Sequence, residues 1–163
     1  MDPRKRIGGD EYMRISEITP RTELYSGQPT PRMPAGADYG VLVGRVAGWL
    51  GVYAFPQGLG DVYASECAFF APGAPGEQEI LLIPDVAFVR ADRLPPYPER
   101  PGFIHLAPDL AVGIAEAPIW GSHPAEYLDD YLAAGVALIW LVDPIAGTVT
   151  VPGWQRRGGR RRS

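Results

Sequence analysis

The chain has 163 residues, of which 46% are hydrophobic and 21% charged, and this balance fits one globular domain and excludes general disorder. The net charge is −4, but five arginines fall in the last eight residues, so the rest of the chain carries ten basic and nineteen acidic side chains. That acidic body excludes a globally basic DNA-binding surface.

The first half of the chain predicts an arm, a hairpin and a helix. Residues 1–20 are polar and end at Pro20, and we interpret them as an N-terminal arm. Residues 23–34 contain strand-forming residues interrupted by glycine and proline, which is typical of a short edge hairpin. A helix is predicted over 39–55, with Asp38 as its N-cap. Its apolar positions, expected to face the core, are Val41, Leu42, Val46, Trp49, Leu50 and Tyr53.

The second half predicts strands around one further helix. Strands are expected over 62–70, over 80–89 around Pro84-Asp85, over 109–115 with its buried run Leu110 to Ile114, over 137–142 and from Thr148 to Val151. A helix over 124–134 begins at Pro124 and ends before Gly135, because proline suits the first helical position and glycine the residue after the last. This order favours an α/β (α+β) fold with a central mixed sheet flanked by helices.

Several classes of protein are excluded by what the sequence lacks. The run from 133 to 142 is ten residues long, whereas a transmembrane helix needs about 20. No apolar segment near the N-terminus resembles a secretory signal. Cys67 is the only cysteine, so a disulfide within the chain and a cysteine-built zinc site are excluded. We therefore expect no membrane association and a cytoplasmic location.

Common catalytic motifs are missing as well. The chain has no phosphate-binding G-x-x-x-x-G-K-[ST], no G-x-S-x-G and no H-E-x-x-H pattern. His105 and His123 are eighteen residues apart, and we interpret both as surface or hydrogen-bonded histidines. Cys67 is interpreted as a small core residue rather than a nucleophile.

Carboxylates at strand ends are more informative. Asp85 lies inside the apolar run Ile80 to Val89, where a carboxylate needs a partner, a cation or contact with solvent. Glu66 falls in the preceding predicted strand, Glu116 follows Leu110 to Ala115, and Asp109 precedes that run as a turn residue. Carboxylates gathered at strand ends suit Mg²⁺, which prefers oxygen ligands. Exposed strand ends with no metal are the alternative.

Six short segments, in order and with compatible gaps from about residue 20 to 151, resemble the Uma-type restriction endonuclease family, a branch of the PD-(D/E)XK nuclease superfamily. The segments are R-T-E-L-Y-S-G-Q at 21–28, S-E-C-A-F-F at 65–70, P-D-V-A-F-V at 84–89, P-D-L-A-V at 108–112, Y-L-A-A-G-V at 131–136 and I-W-L-V-D-P at 139–144. The resemblance implies a restriction-endonuclease-like mixed sheet flanked by helices. It also implies metal-dependent hydrolysis of DNA phosphodiesters, with a carboxylate-bound cation activating water.

The resemblance also implies a set of site residues. Asp85 matches the family's metal-binding aspartate, Glu66 the glutamate of the next motif and Glu23 the early acidic position. These three are the expected catalytic residues, and Asp85, Glu66 and Glu116 are the expected Mg²⁺ ligands. DNA is the expected partner, and a homodimer is the expected assembly.

Three positions depart from the family's pattern. Gly113 stands where a second metal-binding glutamate is usual, Tyr127 replaces a lysine one helical turn before Tyr131, and Tyr39 replaces a common histidine. The only lysine, Lys5, precedes the matched segments. We therefore expect a degenerate active site with weak or absent Mg²⁺ binding. The alternative is a catalytically inactive nuclease-fold protein that serves in binding or assembly.

The predicted domain organisation is an arm at 1–20, an endonuclease-like domain at 21–151 and an aberrant Arg/Gly-rich tail at 152–163. The tail departs from the family, whose last strand normally continues into another hairpin. A nucleic-acid-binding tail, a shifted reading frame near codon 151 and an idiosyncratic terminus are the three interpretations that the residues leave open.

Overall fold

The computed structural model describes residues 14, 22–25, 28–31, 36–65, 67–73, 79–96, 103–115 and 124–152. In chain order the strands are β1 (Thr22–Tyr25), β2 (Gln28–Pro31), β3 (Gly60–Ala64), β4 (Phe69–Ala71), β5 (Ile80–Leu82), β6 (Val86–Arg90), β7 (Leu110–Ile114), β8 (Leu138–Asp143) and β9 (Thr148–Thr150). The helices are α1 (Ala37–Ala54) and α2 (Pro124–Ala133), with short 3-10 turns at Phe55–Gln57 and Ala91–Arg93.

A five-stranded mixed sheet forms the centre of the fold. Its strand order is β3-β6-β7-β8-β9. The neighbours β7 and β8 run parallel, and the other neighbouring pairs run antiparallel. Two separate two-stranded sheets, β1-β2 and β4-β5, complete the described strands. The predicted mixed α/β architecture is confirmed, and the predicted hairpin near 23–34 is the β1-β2 pair.

Two predicted strands are each broken in two. The segment predicted as 62–70 ends its first half at Ala64, because Ser65 adopts a left-handed conformation with φ of 36°. The segment predicted as 80–89 breaks at Pro84-Asp85, and its halves belong to different sheets. Proline has no N–H for a ladder and a left-handed residue turns the chain, so neither segment continues as one strand.

Helix α1 begins two residues earlier than predicted. Gly36 is its N-cap, so the prediction that Asp38 caps it is wrong; Asp38 lies in the first turn, where the helix dipole favours a negative charge. The expectation that Val41, Trp49 and Tyr53 face the core is also wrong, since they are 53%, 70% and 65% exposed. The helix instead buries a face of small residues, namely Val43, Val46, Gly51 and Ala54.

Helix α2 connects the parallel strands β7 and β8, as a parallel crossover requires. It ends as predicted before Gly135, whose φ of 79° favours glycine, and Gly135 N donates to Leu132 O at 3.0 Å.

The two helices cover opposite faces of the sheet. On one face Val43 and Val46 of α1 pack with Val86 and Val112. On the other face, residues at and just after the end of α2 pack with Ala87 and Ala111. Neighbouring residues of β6 and β7 therefore point to opposite layers, as strand pleating requires. Because both faces are covered, β7 is buried along its whole length.

Candidate functional site

Asp85 lies at the edge of the sheet where β7 ends and β6 begins. Its backbone N–H donates to Val112 O at 3.0 Å, and its backbone carbonyl accepts from Ser65 N at 2.9 Å. The residue is 8% exposed and is the one buried charged residue in the described part of the chain. Backbone hydrogen bonds therefore hold Asp85 between Ser65, just after β3, and Val112 of β7, independently of its side chain.

The Asp85 carboxylate accepts hydrogen bonds from two neutral groups. Ile114 N donates to Oδ2 at 2.6 Å, and the Tyr39 hydroxyl donates to Oδ1. Hydrogen bonds to an ionised acceptor are stronger than neutral ones, so both contacts orient the carboxylate firmly. Because the donors are an amide and a phenol, these two bonds hold the group in place without neutralising its charge.

Tyr39 was not predicted to contact the site. It lies in the first turn of α1, 46 positions before Asp85 in the chain, and its bond ties the start of the helix to the sheet edge. The signal available in the sequence was its departure from the histidine that is common at this position of the family. Nothing local connected that departure with Asp85.

Gly113 lies beside the Asp85 carboxylate, because its two chain neighbours both bond to Asp85. It pairs with Leu141 and is buried within β7. By strand alternation it shares the face of Ala111, on the side that α2 covers. The position expected to supply a second carboxylate is therefore next to Asp85 and has no side chain.

Tyr127 lies in the first half of α2, whose side chains the structure describes only from residue 128 onward. Since α2 follows β7 and precedes the parallel strand β8, its start lies toward the carboxyl ends of these two strands. Asp85 is at the same edge. The topology therefore puts the backbone of residue 127 at the edge where the family's lysine would be expected.

The other predicted site residues are only partly described. Glu23 lies in β1 opposite Thr30, and its side chain is outside the described part. Glu66 and Glu116 are outside the described residues altogether. Their predecessors are described: Ser65 bonds to Asp85, and Ala115 N donates to Val142 O at 2.7 Å. The roles assigned to the three glutamates stay predictions.

The second P-D sequence forms a similar arrangement at the opposite end of β6 and β7. Asp109 N donates to Phe88 O at 2.9 Å, and its carboxylate accepts from Arg90 N at 2.9 Å. Here, however, Arg93 lies 2.9 Å from Oδ1, with Arg90 3.9 Å away. The guanidinium groups supply positive charge to this carboxylate.

The remaining candidate residues have other surroundings. His105 Nδ1 lies 3.0 Å from Glu79 Oε1, both side chains are largely exposed, and the imidazole stacks on Phe70. Burial raises the pKa of the Cys67 thiol, which makes it less reactive than a free cysteine. His123 lies outside the described residues. The interpretation of His105 as a surface histidine and of Cys67 as a small packed residue agrees with this structure.

The described residues do not complete a metal site. No cluster of three or more His, Cys, Asp or Glu side chains suited to a metal occurs among them. Asp85 offers one carboxylate, whereas an enzymatic Mg²⁺ site in proteins usually adds a second carboxylate or substrate phosphates to several waters. In the same part of the chain, no helix is both long and apolar enough to cross a membrane.

The fold resembles that of a crystal structure from Anabaena variabilis ATCC 29413, described as "a putative nuclease belonging to DUF820". The TM-score is 0.73 at 18% identity, over 94% of this chain and 82% of that chain. At this identity the likeness shows the fold alone. No curated protein matches.

The family comparison covers nearly the whole sequence. Residues 10–162 match Uma2, the family described as "Putative restriction endonuclease". This match includes all six segments that suggested the resemblance and extends beyond them at both ends, and the chain belongs to the Uma2 restriction-endonuclease-like family.

Proposed function

We propose that this protein is a restriction-endonuclease-like domain for metal-dependent hydrolysis of DNA phosphodiesters, with a degenerate active site. The observation that carries the proposal is the Asp85 carboxylate, buried at the sheet edge and oriented by Tyr39 and Ile114, with a glycine at position 113 beside it. Asp85 is held at the sheet edge, while Gly113, at the position where the family would place the second metal-binding carboxylate, has no side-chain oxygen.

The placement of Asp85 supports a binding role better than a purely structural one. Its two described side-chain donors are neutral, whereas the equivalent Asp109 is paired with arginines. A carboxylate oxygen that accepts one hydrogen bond still has a lone pair for a further ligand. A carboxylate in this environment is suited to bind a cation at this edge of the sheet.

The missing groups support the degenerate part of the proposal. In this family a bound Mg²⁺ would supply a polarised water and stabilise charge on the phosphate. With Asp85 as the described ligand, most of the coordination would be water, so binding should be weak. Position 127, at the same edge, has a tyrosine rather than a lysine ammonium to stabilise the developing charge. Glu66, Glu23 and Glu116 are the residues of this chain that we propose as further ligands or catalytic groups.

A binding or assembly protein without catalysis is the second candidate. The same two positions, Gly113 and Tyr127, favour it, as does the acidic body of the chain, which disfavours broad contact with phosphates. In both cases we propose a cytoplasmic protein, where the thiol of Cys67 stays reduced.

Plasmid cleavage with Mg²⁺ or Mn²⁺ separates the two candidates. For a degenerate nuclease we expect slow nicking that Asp85→Asn abolishes and that Asp109→Asn leaves intact. The asparagine keeps the size of each side chain, and Asp109 is the matched aspartate at the other end of the same strands. No nicking at any metal concentration would favour the binding protein, and rapid cleavage that survives Asp85→Asn would overturn the assignment of this site.

A further inference from the structure

The first turn of helix α1 is weakly held. Its N-cap, Gly36, has no side chain that could accept a first-turn N–H, and Gly40 has a low helix propensity. From Gly36 to Val41 every residue is exposed except Tyr39, which is half-buried. A segment with few buried contacts opens at a low free energy, so the order of this turn depends on the Tyr39 side chain.

The body of α1 is held in a different way. Val43 and Val46 are buried and pack with Val86 and Val112 of the central sheet. This apolar burial stabilises the helix from residue 43 onward, and it does not depend on the Asp85 carboxylate. The first turn can therefore loosen while the rest of the helix stays packed.

The two described side-chain donors to Asp85 differ in how firmly their own segments are held. Ile114 N–H belongs to β7, which is buried and lies between the paired strands β6 and β8. The Tyr39 hydroxyl belongs to the weakly held turn. Of these two donors, Tyr39 is the one that can leave Asp85 without disturbing the central sheet.

A cation at Asp85 would act on the same carboxylate as the phenol. Tyr39 donates to Oδ1 and Ile114 N donates to Oδ2, so each oxygen already accepts one hydrogen bond. A lone pair remains on Oδ1, but a cation there would draw on the same negative charge and repel the partly positive phenol hydrogen. The cation and the Tyr39 bond therefore weaken each other.

We propose that the Tyr39–Asp85 hydrogen bond is an autoinhibitory contact, in which the start of α1 occupies the carboxylate and is released when a cation binds there. The inference rests on the proposed cation-binding role of Asp85 and adds its regulation. The coupling is reciprocal, because the factor by which the bonded phenol weakens cation binding equals the factor by which a bound cation weakens the phenol bond.

Hydrogen exchange of the full chain, followed by mass spectrometry with and without Mn²⁺, tests the proposal. The reporters are the amides of residues 40–42, beginning with Gly40 N, which donates to Gly36 O at 3.3 Å. We expect Mn²⁺ to speed their exchange about fivefold, at the lower end of ordinary coupling between sites. The amides of residues 46–50, in the packed body of α1, should not change. Calorimetry on the same samples measures Mn²⁺ binding.

Two tyrosine variants separate this contact from a general effect of the metal. In Tyr39→Phe the amides of residues 40–42 should exchange fast without Mn²⁺, and Mn²⁺ should add nothing. Tyr53→Phe, which alters a 65% exposed tyrosine of the same helix, should respond as the wild type does.

The possible failures are distinguishable. If Mn²⁺ binds the wild type but exchange at residues 40–42 is unchanged or slower, the autoinhibitory contact is overturned and the cation-binding role of Asp85 stands. An equal Mn²⁺ response in Tyr39→Phe and the wild type would also overturn the contact. If neither the wild type nor Tyr39→Phe binds Mn²⁺, the cation-binding role itself is overturned, and the autoinhibitory contact with it.

Discussion

Asp85 and Asp109 occupy equivalent positions at opposite ends of the β6-β7 pair. Each follows a proline, donates its backbone N–H to the neighbouring strand and accepts a backbone N–H two residues further along that strand. In their described contacts the side chains differ: Asp109 lies beside two arginines, and Asp85 accepts from a tyrosine hydroxyl. The same backbone arrangement therefore supports a salt-bridged strand end in one place and a candidate metal ligand in the other.

The comparison shows that the P-D sequence alone does not identify a metal ligand. Two antiparallel strands that each start with Pro-Asp produce this arrangement at both ends, since the backbone bonds are related by a local two-fold axis. In the described contacts the ends differ through residues outside the Pro-Asp sequences, Tyr39 at one end and Arg93 at the other.

The largest effect should come from adding the missing groups at the Asp85 end. We expect Gly113→Glu with Tyr127→Lys to raise DNA cleavage by about 100-fold or more, the size of one transition-state charge contact. Gly113→Glu alone should improve Mn²⁺ binding with little cleavage, and Tyr127→Lys alone should do almost nothing, because both groups act on one transition state. Plasmid nicking and calorimetry with Mn²⁺ measure the two effects.

The control for that experiment is Gly113→Gln with Tyr127→Lys, which adds equal bulk without a carboxylate. Thermal unfolding must show that each variant folds, because residue 113 is buried. A double variant that folds and binds metal but leaves DNA intact would contradict the assignment of positions 113 and 127.

Removing the aspartates should distinguish the two ends by stability. Asp85→Ala leaves the Tyr39 hydroxyl and the Ile114 N–H without this acceptor in a buried site, and we expect a loss of about 3 kcal/mol. Asp109→Ala should lose about 1 kcal/mol, because its arginines are partly exposed and can turn to water. Urea unfolding of both variants measures the difference, and equal losses would show that the two environments are energetically alike.

Removing the tyrosine hydroxyl should separate orientation from cation binding. Tyr39→Phe deletes one hydrogen bond to Asp85, and we expect it to lower the free energy of unfolding by about 1.5 kcal/mol. It should also tighten Mn²⁺ binding several-fold, since the phenol no longer competes with the cation for Oδ1. Tyr53→Phe, a 65% exposed tyrosine of the same helix, is the control and should change neither quantity. Weaker Mn²⁺ binding by Tyr39→Phe would show that the phenol supports the metal site instead.

The smallest effect concerns the thiol near β4. Because burial raises the pKa of Cys67, less thiolate is present at a given pH and alkylation at pH 8.5 should be slower than for the urea-unfolded chain. The unfolded thiol ionises near its ordinary value of 9.0, so folded stability should decline slightly as pH rises past that value. Equal alkylation rates in the folded and unfolded protein would contradict this.

The parts of the fold that could be predicted are those with local signals. Strand β7 is a continuous apolar run covered on both faces, and α2 has proline at its start and glycine after its end. The buried face of helix α1 was harder to predict, because apolar residues occupy both of its faces and their spacing alone does not show which face is buried. The break after Ala64 depends on the left-handed conformation of Ser65. Serine rarely adopts this conformation, and nothing in the neighbouring sequence indicates it.

The candidate site could be predicted only in part. Asp85 was visible as a carboxylate inside an apolar run, because burying such a group requires partners. Its Tyr39 partner depends on a tertiary contact between α1 and the sheet, which no local pattern encodes. Likewise, the two arginines beside Asp109 lie at and just after the end of β6. They can be recognised as its partners only once the antiparallel pairing puts the end of β6 next to the start of β7.

The outer strand β9 has a consequence for the behaviour of the chain in concentrated solution. Among the described strands it lies at the edge of the central sheet, it is three residues long, and its residues are exposed. Pro152, two positions after it, has no N–H to extend a ladder. Long, regular edge strands template fibrillar aggregation, whereas a short edge closed by proline offers too few hydrogen-bonding groups for another chain to add to it. Crowding should therefore not drive open-ended growth from this edge of the central sheet.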